Sequence, residues 1–398
     1  MRKKECTNKM QGNEALHYLD NAATTRVEPR VADAIYKTML ENWGNPSSLY
    51  TPGQDSHLLL ERARSAVARS IGAESGQVFF TGCGSESNNI ALLGSVLARR
   101  SWGRRIVVSG YEHPSVSLPL ARLAEEGFDV VTVAPGPDGH IDPEEFASRV
   151  DKNTILCTCM HVNNEIGAQS DVNRIAQLVK TANPRTAFHV DGVQGWMRVP
   201  ADLTGIDSYS MSGHKIHAPK GIGALYLRRG YNIQPPYLGG GQEKGHGGGQ
   251  DKGVRPGTEN LPYAVGLATA ASILHKNRVE RKAHVTALNQ RLRAGLAALP
   301  GVVINSPEDA VAEVLSLSTM CVKSETMLHF LETRNVYVSS GSACSRGGSS
   351  PTLAAMGLPA KRIDTTLRVS FCGGNTEEDV DCLLNGLEDG LAHLAKLR

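Results

Sequence analysis

The residue whose surroundings most clearly suggest chemistry is Lys215, in the run Ser212-Gly213-His214-Lys215. Glycine and proline residues surround it, and an apolar, strand-like run follows at residues 221–227. The backbone of this lysine is therefore expected to be held in place, unlike that of a lysine on a solvated helix. A partly desolvated lysine can lose its proton and attack a carbonyl group as an amine nucleophile. The alternative is a loop lysine that covers a phosphate group or has no ligand.

Small residues form a second candidate site at Gly84 and Ser85, between the apolar run at 78–80 and a helical pattern that begins near residue 90. The N-terminus of a helix offers unpaired N–H groups and the positive end of the helix dipole, which suit a phosphate group. The segment matches neither the Walker loop nor the dinucleotide-binding fingerprint. The alternative is a helix that Ser85 only caps.

Polar side chains also follow two later apolar runs. His113 comes after the run at 106–108, where open α/β sheets bind their ligands, although a lone histidine there is more often structural. Asp191 ends the run that begins at Phe188, and Gln194 follows three residues later. A buried carboxylate needs a cation or several hydrogen-bond donors. A surface turn is the alternative for this aspartate.

Two candidates lie near the C-terminal end. Cys344 lies in the small-residue run at 339–350. Because cysteine is among the most buried residue types, a place without apolar neighbours indicates a mobile nucleophile. Arg368 lies in the strand-like run at 366–370. Pointing inward, it would meet a carboxylate, which could be that of a substrate; an outward salt bridge is the equal alternative.

Together these residues fit the chemistry of an amino acid bound to pyridoxal phosphate. Lys215 would form a Schiff base with the cofactor, and Cys344 would be the nucleophile. The other side chains would bind cofactor or substrate: Gly84-Ser85 the phosphate, Asp191 the protonated pyridine nitrogen, His113 the ring face, and Arg368 the amino-acid carboxylate. Each alternative is reasonable for one residue, but all of them holding at once is not.

Composition excludes several other classes of protein. The net charge of +2 over 398 residues favours neither nucleic acid nor an anionic membrane. No apolar run approaches the roughly 20 residues that span a bilayer, and the basic N-terminus lacks the apolar stretch of a signal peptide. Eight cysteines are too few for a disulfide scaffold, so we expect thiols in the reducing cytoplasm.

Three other features bear on organisation. A tandem repeat at 239–253 predicts a flexible glycine-rich loop. After residue 261, helical stretches and then strands at 302–305 and 314–318 indicate a second, α+β domain. Cys157, Cys159 and His161 alternate along one strand, but ligands so placed rarely converge on a metal. We therefore expect no metal, and a metal-binding thiol protein is the remote alternative.

The chain resembles the cysteine desulfurases of the class V aminotransferase family, the NifS/IscS-like group with the longer active-site loop. The resemblance runs from about Tyr18 to Asp381. It rests on the motifs LDNAATT (19–25), GNPSS (44–48), GSESNN (84–89), EHPSV (112–116), HVNNEIG (161–167), HVDGVQ (189–194), SGHKIHAPKGIGALY (212–226), RPGTEN (255–260), SSGSAC (339–344) and LRVSF (367–371).

The resemblance implies an α/β protein of pyridoxal-phosphate fold type I. The large domain, 16–261, would hold a mostly parallel seven-stranded sheet flanked by helices. The smaller α+β domain, 262–398, would carry the active-site cysteine loop, with the N-terminal segment contributing to it. The family also implies a homodimer, L-cysteine as the substrate, and a protein that accepts the sulfur for iron–sulfur cluster assembly or for thiolation of tRNA or cofactors.

The resemblance also implies a role for each site residue. Lys215 would be the Schiff-base lysine, and Cys344 would carry the persulfide. The remaining positions would bind the cofactor or the substrate: His113 on the ring face, Asp191 at the pyridine nitrogen, Gln194 at the phenolic oxygen, Asn164 near the ring, Gly84, Ser85, Ser212 and His214 at the phosphate, Thr258 there from the partner subunit, and Arg368 and Asn45 at the substrate.

The chain departs from the family pattern in three places. Gly84-Ser85 stands where the family usually has Ala-Thr, the repeat lengthens the loop before Thr258, and the segment after Cys344 is about two residues shorter than in housekeeping members. A selenocysteine lyase or an aminotransferase of the same fold is the alternative function. Cys344 favours the desulfurase, because selenocysteine lyases can work without the loop cysteine.

Overall fold

The computed structural model describes residues 16–239, 253–340 and 350–397, and the backbone of 243–244. In chain order its strands are β1 His17–Tyr18, β2 Val78–Thr81, β3 Arg105–Ser109, β4 Asp129–Val133, β5 Thr154–Met160, β6 Ala187–Asp191, β7 Ser208–Ser212, β8 Gly223–Leu227, β9 Glu243–Lys244, β10 Gly253–Arg255, β11 Val303–Ile304, β12 Val314–Ser318, β13 Val336–Tyr337, β14 Ser339–Ser340 and β15 Thr366–Ser370. Its helices are α1 Pro29–Glu41, α2 Thr51–Ser70, α3 Gly84–Arg99, α4 Pro114–Glu125, α5 Pro143–Ser148, α6 Val172–Ala182, α7 Leu261–Lys276, α8 Arg278–Ala297, α9 Ser324–Glu332, α10 Pro351–Ala355, α11 Ala360–Asp364 and α12 Glu377–His393.

The large sheet has seven strands in the order β2-β8-β7-β6-β5-β3-β4. Only β8 runs against its neighbours, and the other pairs in the sheet are parallel. The mostly parallel seven-stranded sheet that the sequence predicts is therefore confirmed. Strands β2, β5 and β6 are buried along their whole length, as expected of strands that helices cover on both faces, whereas the edge strand β4 is partly exposed.

Helices cover the two faces of this sheet. Along β2, Val78 and Phe80 pack into one core with α1, α2, α6 and α7, whereas Phe79 packs into another core with α3 and α4. Successive side chains of a strand point to opposite faces, so one apolar run serves both cores. The two layers fix the sheet edge from which the loops emerge.

A smaller antiparallel sheet follows, in the order β11-β12-β15-β14. Leu292 of α8, Leu331 of α9 and Leu383 of α12 pack on it in a separate core. The N-terminal segment joins this unit, because β1 pairs in parallel with β13 and Leu19 lies in the same core.

Helix α7 ends at its C-cap residue Asn277, and α8 begins at the next residue. The buried residues of α7, including Leu261 and Leu267, belong to the core of the large sheet. The predicted division at 261–262 stays a prediction. The packing of α7 favours a boundary at the α7–α8 junction instead.

The repeat at 239–253 lies mostly outside the described residues. At its end, β10 pairs antiparallel with β9. Across the described chain, the helices are either too short or too polar to cross a bilayer.

Candidate active site at the carboxyl edge of the large sheet

The carboxyl ends of parallel strands meet at one edge of the large sheet, and most of the predicted site residues follow those ends. The chain leads from β2 to Gly84, from β3 to His113 and from β5 to Asn164. Asp191 is the last residue of β6, and β7 runs into the turn Gly213–Lys215. Sheets of this kind bind ligands at this edge. Sheet topology therefore gathers residues that are far apart in sequence.

The N-terminal segment holds the amine of Lys215. Nζ donates to the carbonyl oxygens of Ala22 and Ala23 at 2.7 and 2.8 Å. The preceding Gly213 has no room for a side chain, since a Cβ there would lie 2.8 Å from Ile222 Cγ2. The turn and these carbonyls thus place a partly buried amine at the sheet edge. Its Schiff-base role stays a prediction.

The first turn of α3 begins at Cys83, which has extended backbone and whose Sγ accepts from the N–H of Glu86 at 3.4 Å. The alternative in which Ser85 caps the helix is therefore wrong, and Ser85 lies exposed inside the first turn. Gly84 is packed closely against the residues at the carboxyl ends of β6 and β7. A Cβ at this glycine would be 2.5 Å from Val193 Cγ2 and 3.2 Å from Ser212 Cβ.

The hydroxyl of Ser212 is buried and has no hydrogen-bond partner among the described residues. Leaving a buried polar group unpaired costs about 1–3 kcal/mol, so a ligand oxygen is expected there. Nearby, His214 Nδ1 lies 3.2 Å from Thr24 Oγ1, and burial lowers the pKa of His214 to about 4. The start of α3, this hydroxyl and a neutral imidazole together can bind a phosphate group.

Asp191 is only 2% exposed, so the alternative of a surface turn is wrong. Its Oδ1 accepts from the N–H of Val193 at 3.0 Å, and its Oδ2 accepts from Asn88 Nδ2 at 2.8 Å. Asn88 also donates to Ser115 and accepts at Oδ1 from His189 Nε2, 3.0 Å away. Burial lowers the pKa of His189 to about 3 and keeps that ring neutral. The network fixes a carboxylate that can hold a protonated ring nitrogen.

His113 caps α4 with its side chain. Nδ1 accepts from the backbone N–H of Ser115 at 3.1 Å, so the proton of the neutral ring is assigned to Nε2. Burial lowers the pKa of His113; the charge of Asp191 opposes this shift and that of Lys215 adds to it. A neutral imidazole with a defined tautomer, close to both groups, can transfer protons through Nε2.

Gln194 is buried after β6 and lies against the same N-terminal segment. Its Nε2 donates to the carbonyl of Ala22 at 2.9 Å, the oxygen that also accepts from Lys215. Its Oε1 accepts from Arg198. The amide and the amine therefore lie side by side around one carbonyl.

Arg368 points inward from β15 and is 6% exposed, so the outward salt bridge is wrong. Nη2 donates to Asp20 Oδ1 at 2.7 Å, and Nη1 donates to the carbonyl of Asn164 at 3.1 Å. Its Nε is buried without a partner among the described residues. The guanidinium thus already holds one carboxylate of the chain and retains an N–H for another group.

Two predicted residues of the described chain, Asn45 and Thr258, are not brought to this cluster. Asn45 is exposed in the loop before α2, where its Oδ1 accepts from the N–H of Ser47 at 2.9 Å. Thr258 is exposed after β10. Cys344 lies outside the described residues.

Two buried carboxyl groups beside the site were not anticipated from the sequence. Ser109 donates to Glu112 Oε1 at 2.5 Å, whereas Oε2 is buried with no partner in the described chain. Burial, and then the charge of Asp191, raises the pKa of Glu112 to about 8. Glu165 accepts from Ser350 and, at 2.9 Å, from Thr352. The sequence did offer one signal for these glutamates, since Glu112 directly precedes His113 and Glu165 directly follows Asn164.

The metal interpretation of Cys157, Cys159 and His161 gains no support. Both cysteines are fully buried in β5, and burial raises the pKa of Cys159 to about 12. His161 Nδ1 lies 3.0 Å from the hydroxyl of Tyr209. Within the described ranges, no group of three or more His, Cys, Asp or Glu is placed to hold a metal.

Known proteins match the chain over nearly its whole length. The family model described as aminotransferase class-V matches residues 17–383. A curated NifS/IcsS protein homolog from Lactobacillus delbrueckii subsp. bulgaricus is 35% identical, over 96% of this chain and 98% of that protein. The cysteine desulfurase IscS of Methanosarcina thermophila is 36% identical, over 92% of this chain and 90% of that protein. A solved NifS-like protein has 34% identity and a TM-score of 0.88, covering 95% of this chain and all of the other.

The described residues fit pyridoxal phosphate. The unpaired hydroxyl of Ser212 beside Gly84 suits its phosphate, and the buried carboxylate of Asp191 suits its pyridine nitrogen. The fold agrees as well, since the chain with this mostly parallel sheet superposes on the solved relative with a TM-score of 0.88. The chain therefore belongs to the class V aminotransferase family of pyridoxal-phosphate enzymes.

Proposed function

We propose that this chain is a cysteine desulfurase, which converts L-cysteine to L-alanine and leaves the sulfur as a persulfide on Cys344. The observation that carries the proposal is the gathering of Lys215, Asp191 and His113 beside the unpaired hydroxyl of Ser212. The choice of L-cysteine is supported by relatives named cysteine desulfurase that match more than nine-tenths of the chain.

The reaction balances without an external oxidant. The C–S bond of L-cysteine breaks, and an S–S bond forms between the released sulfur and Cys344 Sγ. The proton that the Cys344 thiol loses is balanced by the proton that the substrate carbon gains when it becomes the alanine methyl group. A free thiol with a pKa near ~8.5 is only a few per cent thiolate at neutral pH, so it needs a proton acceptor. The neutral imidazole of His113 is the acceptor that we propose.

The other side chains bind and orient. Pyridoxal phosphate supplies an electron sink for the substrate Cα. Lys215 provides the amine that takes the Cα proton, and Asp191 keeps the ring nitrogen protonated. Arg368 receives the substrate carboxylate through the guanidinium edge that Asp20 does not occupy. Asn45, which lies exposed outside the cluster, would have to reach the substrate by a movement of its loop.

A homodimer is part of the proposal. Large apolar side chains are exposed along residues 36–58, among them Trp43 at 73% and Leu49 at 90%. An exposed apolar surface of this kind is typical of a protein interface. Thr258 is exposed and would reach the phosphate of the partner subunit. Sedimentation velocity on the parent and on Leu49→Asp tests this, since a parent that stays monomeric contradicts it.

We further propose that the sulfur passes to an acceptor protein in the cytoplasm. The six cysteines of the described part, Cys83, Cys157, Cys159, Cys321, Cys372 and Cys382, are free thiols. A reducing compartment is compatible with that state.

The absorbance spectrum of the pure protein, before and after L-cysteine, tests the function, with alanine and sulfide assayed in the same tube. A band near ~420 nm that changes on adding cysteine, with equal alanine and sulfide, is expected. A yellow protein that releases no sulfide would favour a selenocysteine lyase or an aminotransferase of this fold. A colourless protein that cannot be reconstituted with pyridoxal phosphate would contradict the proposal.

A further inference from the structure

The turn after β6 brings a cationic side chain back onto Gln194. Arg198 Nη1 donates to the backbone oxygen of Gln194 at 2.7 Å and also to its side-chain Oε1. The turn is closed by the N–H of Arg198, which bonds to the carbonyl of Gly195 at 3.0 Å. One guanidinium nitrogen thus contacts both oxygens of the same glutamine.

These contacts decide which way the Gln194 amide points. Arginine only donates hydrogen bonds, so the atom facing Arg198 must be the amide oxygen. The amide nitrogen then faces the opposite side, where it donates one hydrogen to the carbonyl of Ala22 at 2.9 Å. Lys215 donates to the same carbonyl, so the amide nitrogen, which carries a second hydrogen, and the lysine amine are neighbours. The described chain provides no acceptor for that second hydrogen.

Strained backbone and an ion pair hold Arg198 in this position. Met197 has a φ of +66°, in the left-handed region that costs a residue with a side chain on the order of 1–3 kcal/mol. Its carbonyl accepts from Arg281 of α8, which also pairs with Glu313 at 3.1 Å. Burial lowers the pKa of Arg198 to about 10, and it remains charged at neutral pH. Strain that neighbouring contacts maintain in this way is common at functional sites.

We propose that Arg198 is a positioning residue that fixes the side-chain amide of Gln194 with its N–H, not its carbonyl, toward the phenolic oxygen of the cofactor. The inference rests on the proposed function, because it requires pyridoxal phosphate at Lys215. A donor at that oxygen stabilises its negative charge and so weakens the hold on the proton of the nearby lysine–cofactor linkage. A flipped amide would place a lone pair there and strengthen that hold.

The apparent pKa of the ~420 nm band in the holoenzyme, titrated without substrate, measures this effect. Arg198→Met is expected to raise that pKa by about one pH unit, a tenfold change in proton affinity. Arg198→Lys keeps a cationic donor and is expected to return most of the shift. If Arg198→Met fails to fold, Arg198→Gln replaces it, because it also removes the fixed cationic donor and is expected to raise the pKa in the same direction.

Two more variants separate orientation of the amide from a simple charge effect. Arg198 lies near the charges of Glu313, Arg281 and Arg368, so removing it also changes the local field. Gln194→Leu alone is expected to raise the pKa as much as Arg198→Met does. In the Gln194→Leu background, Arg198→Met is expected to add nothing, because the two residues act as one unit.

Three outcomes would overturn the inference. The apparent pKa of the band could stay unchanged in Arg198→Met, or it could rise as far in Arg198→Lys as in Arg198→Met. It could also rise by the same amount when Arg198→Met is added to Gln194→Leu. Failure of the proposed function is seen separately. A protein with a normal titration that releases no sulfide leaves the role of Arg198 standing, whereas a protein without the band loses both.

Discussion

Arg368 and Asp20 form an ion pair inside the chain, with Nη2 at 2.7 Å from Oδ1. The pair joins the small sheet to the N-terminal segment whose next residues accept hydrogen bonds from Lys215. The arginine is therefore oriented before any substrate arrives. An oriented guanidinium loses less freedom when it binds a carboxylate.

The first prediction concerns this arginine. Arg368→Lys keeps a positive charge for Asp20 but loses the further guanidinium N–H donors that a substrate carboxylate would use. We expect KM for L-cysteine to rise about 10- to 100-fold, the equivalent of one charged hydrogen bond, with a smaller change in kcat. Alanine formation over a range of cysteine concentrations measures both. An unchanged KM would place the carboxylate site elsewhere.

The second prediction separates the two proposed nucleophiles. Cys344→Ala is expected to keep the ~420 nm band but to lose sulfide release, because no thiol remains to take the sulfur. Cys321→Ala, which changes a thiol of the small unit, is the matched control and should keep normal turnover. Normal sulfide release by Cys344→Ala would remove the nucleophile assignment.

Lys215→Ala completes this comparison. It is expected to leave no cofactor linkage that borohydride can reduce onto the chain. A reducible linkage in this variant would move the Schiff base to another lysine.

The third prediction follows from the buried carboxyl group of Glu112. Its pKa is raised to about 8 in the folded chain, mainly by burial. The folded state then holds a proton that the unfolded state releases near pH ~4.5, so this stability is complete below about pH 4.5 and is lost as pH rises toward 8. Glu112→Gln removes the ionisation. The unfolding free energy of the variant relative to the parent should therefore rise by about 1.4 kcal/mol per pH unit in that window.

Urea unfolding at several pH values between about 5 and 9 measures this difference. Glu125→Gln, which changes an exposed carboxyl group on α4, is the control and should show a flat difference. A flat difference for Glu112→Gln as well would mean that the buried carboxyl group ionises at its ordinary pH.

The fourth prediction concerns the contact between Glu165 and the start of α10. Thr352 donates to Glu165 at 2.9 Å and accepts from Asn163 at 3.3 Å, and all three side chains are buried. Thr352→Val leaves the carboxylate short of a donor, so the free energy of unfolding should fall by about 1–3 kcal/mol. Thr181→Val on the exposed side of α6 should change it by less than about 0.5 kcal/mol. Equal effects of the two variants would show that the buried contact adds nothing.

The fifth prediction concerns the glycine-rich repeat. Tyr237 and Arg255, on either side of it, both donate to Glu86 in the first turn of α3, Arg255 at 3.0 Å. The ends of the segment are therefore held together independently of its length. Deleting residues 239–246 removes one copy of the repeat, including β9. Roughly halving the loop saves about 0.6 kcal/mol of loop-closure free energy, which offsets the loss of the two-residue β9 pairing, so stability should change by no more than about that amount.

Thermal unfolding and the ~420 nm band of the deletion variant test this. Glu86→Gln is the contrasting variant, since it weakens both ends of the segment at once and should destabilise the protein more. A deletion variant that loses the cofactor would show that the repeat itself supports the site.

Much of the local structure could be predicted from the residues. The runs at 314–318 and 366–370 coincide with β12 and β15, because short apolar runs bounded by polar or turn residues specify buried strands. The turn at Lys215 was equally visible, since glycine and proline residues surround it in the sequence. Local sequence determines periodicity and turn chemistry, and these are enough to place such elements along the chain.

Only the tertiary structure decided which distant groups become partners. Ala22 accepts from Lys215 and Gln194, Asn88 reaches Asp191, and Arg198 folds back on Gln194. The first two follow from no repeat or spacing, because the order of the strands in the sheet sets which loops meet at its edge. The last pair is only four residues apart, but its contact depends on the positive φ of Met197, which no sequence pattern announced. Sequence alone thus determined the side chains that can do chemistry, and the packing of the sheet determined the hydrogen bonds and burial that orient them.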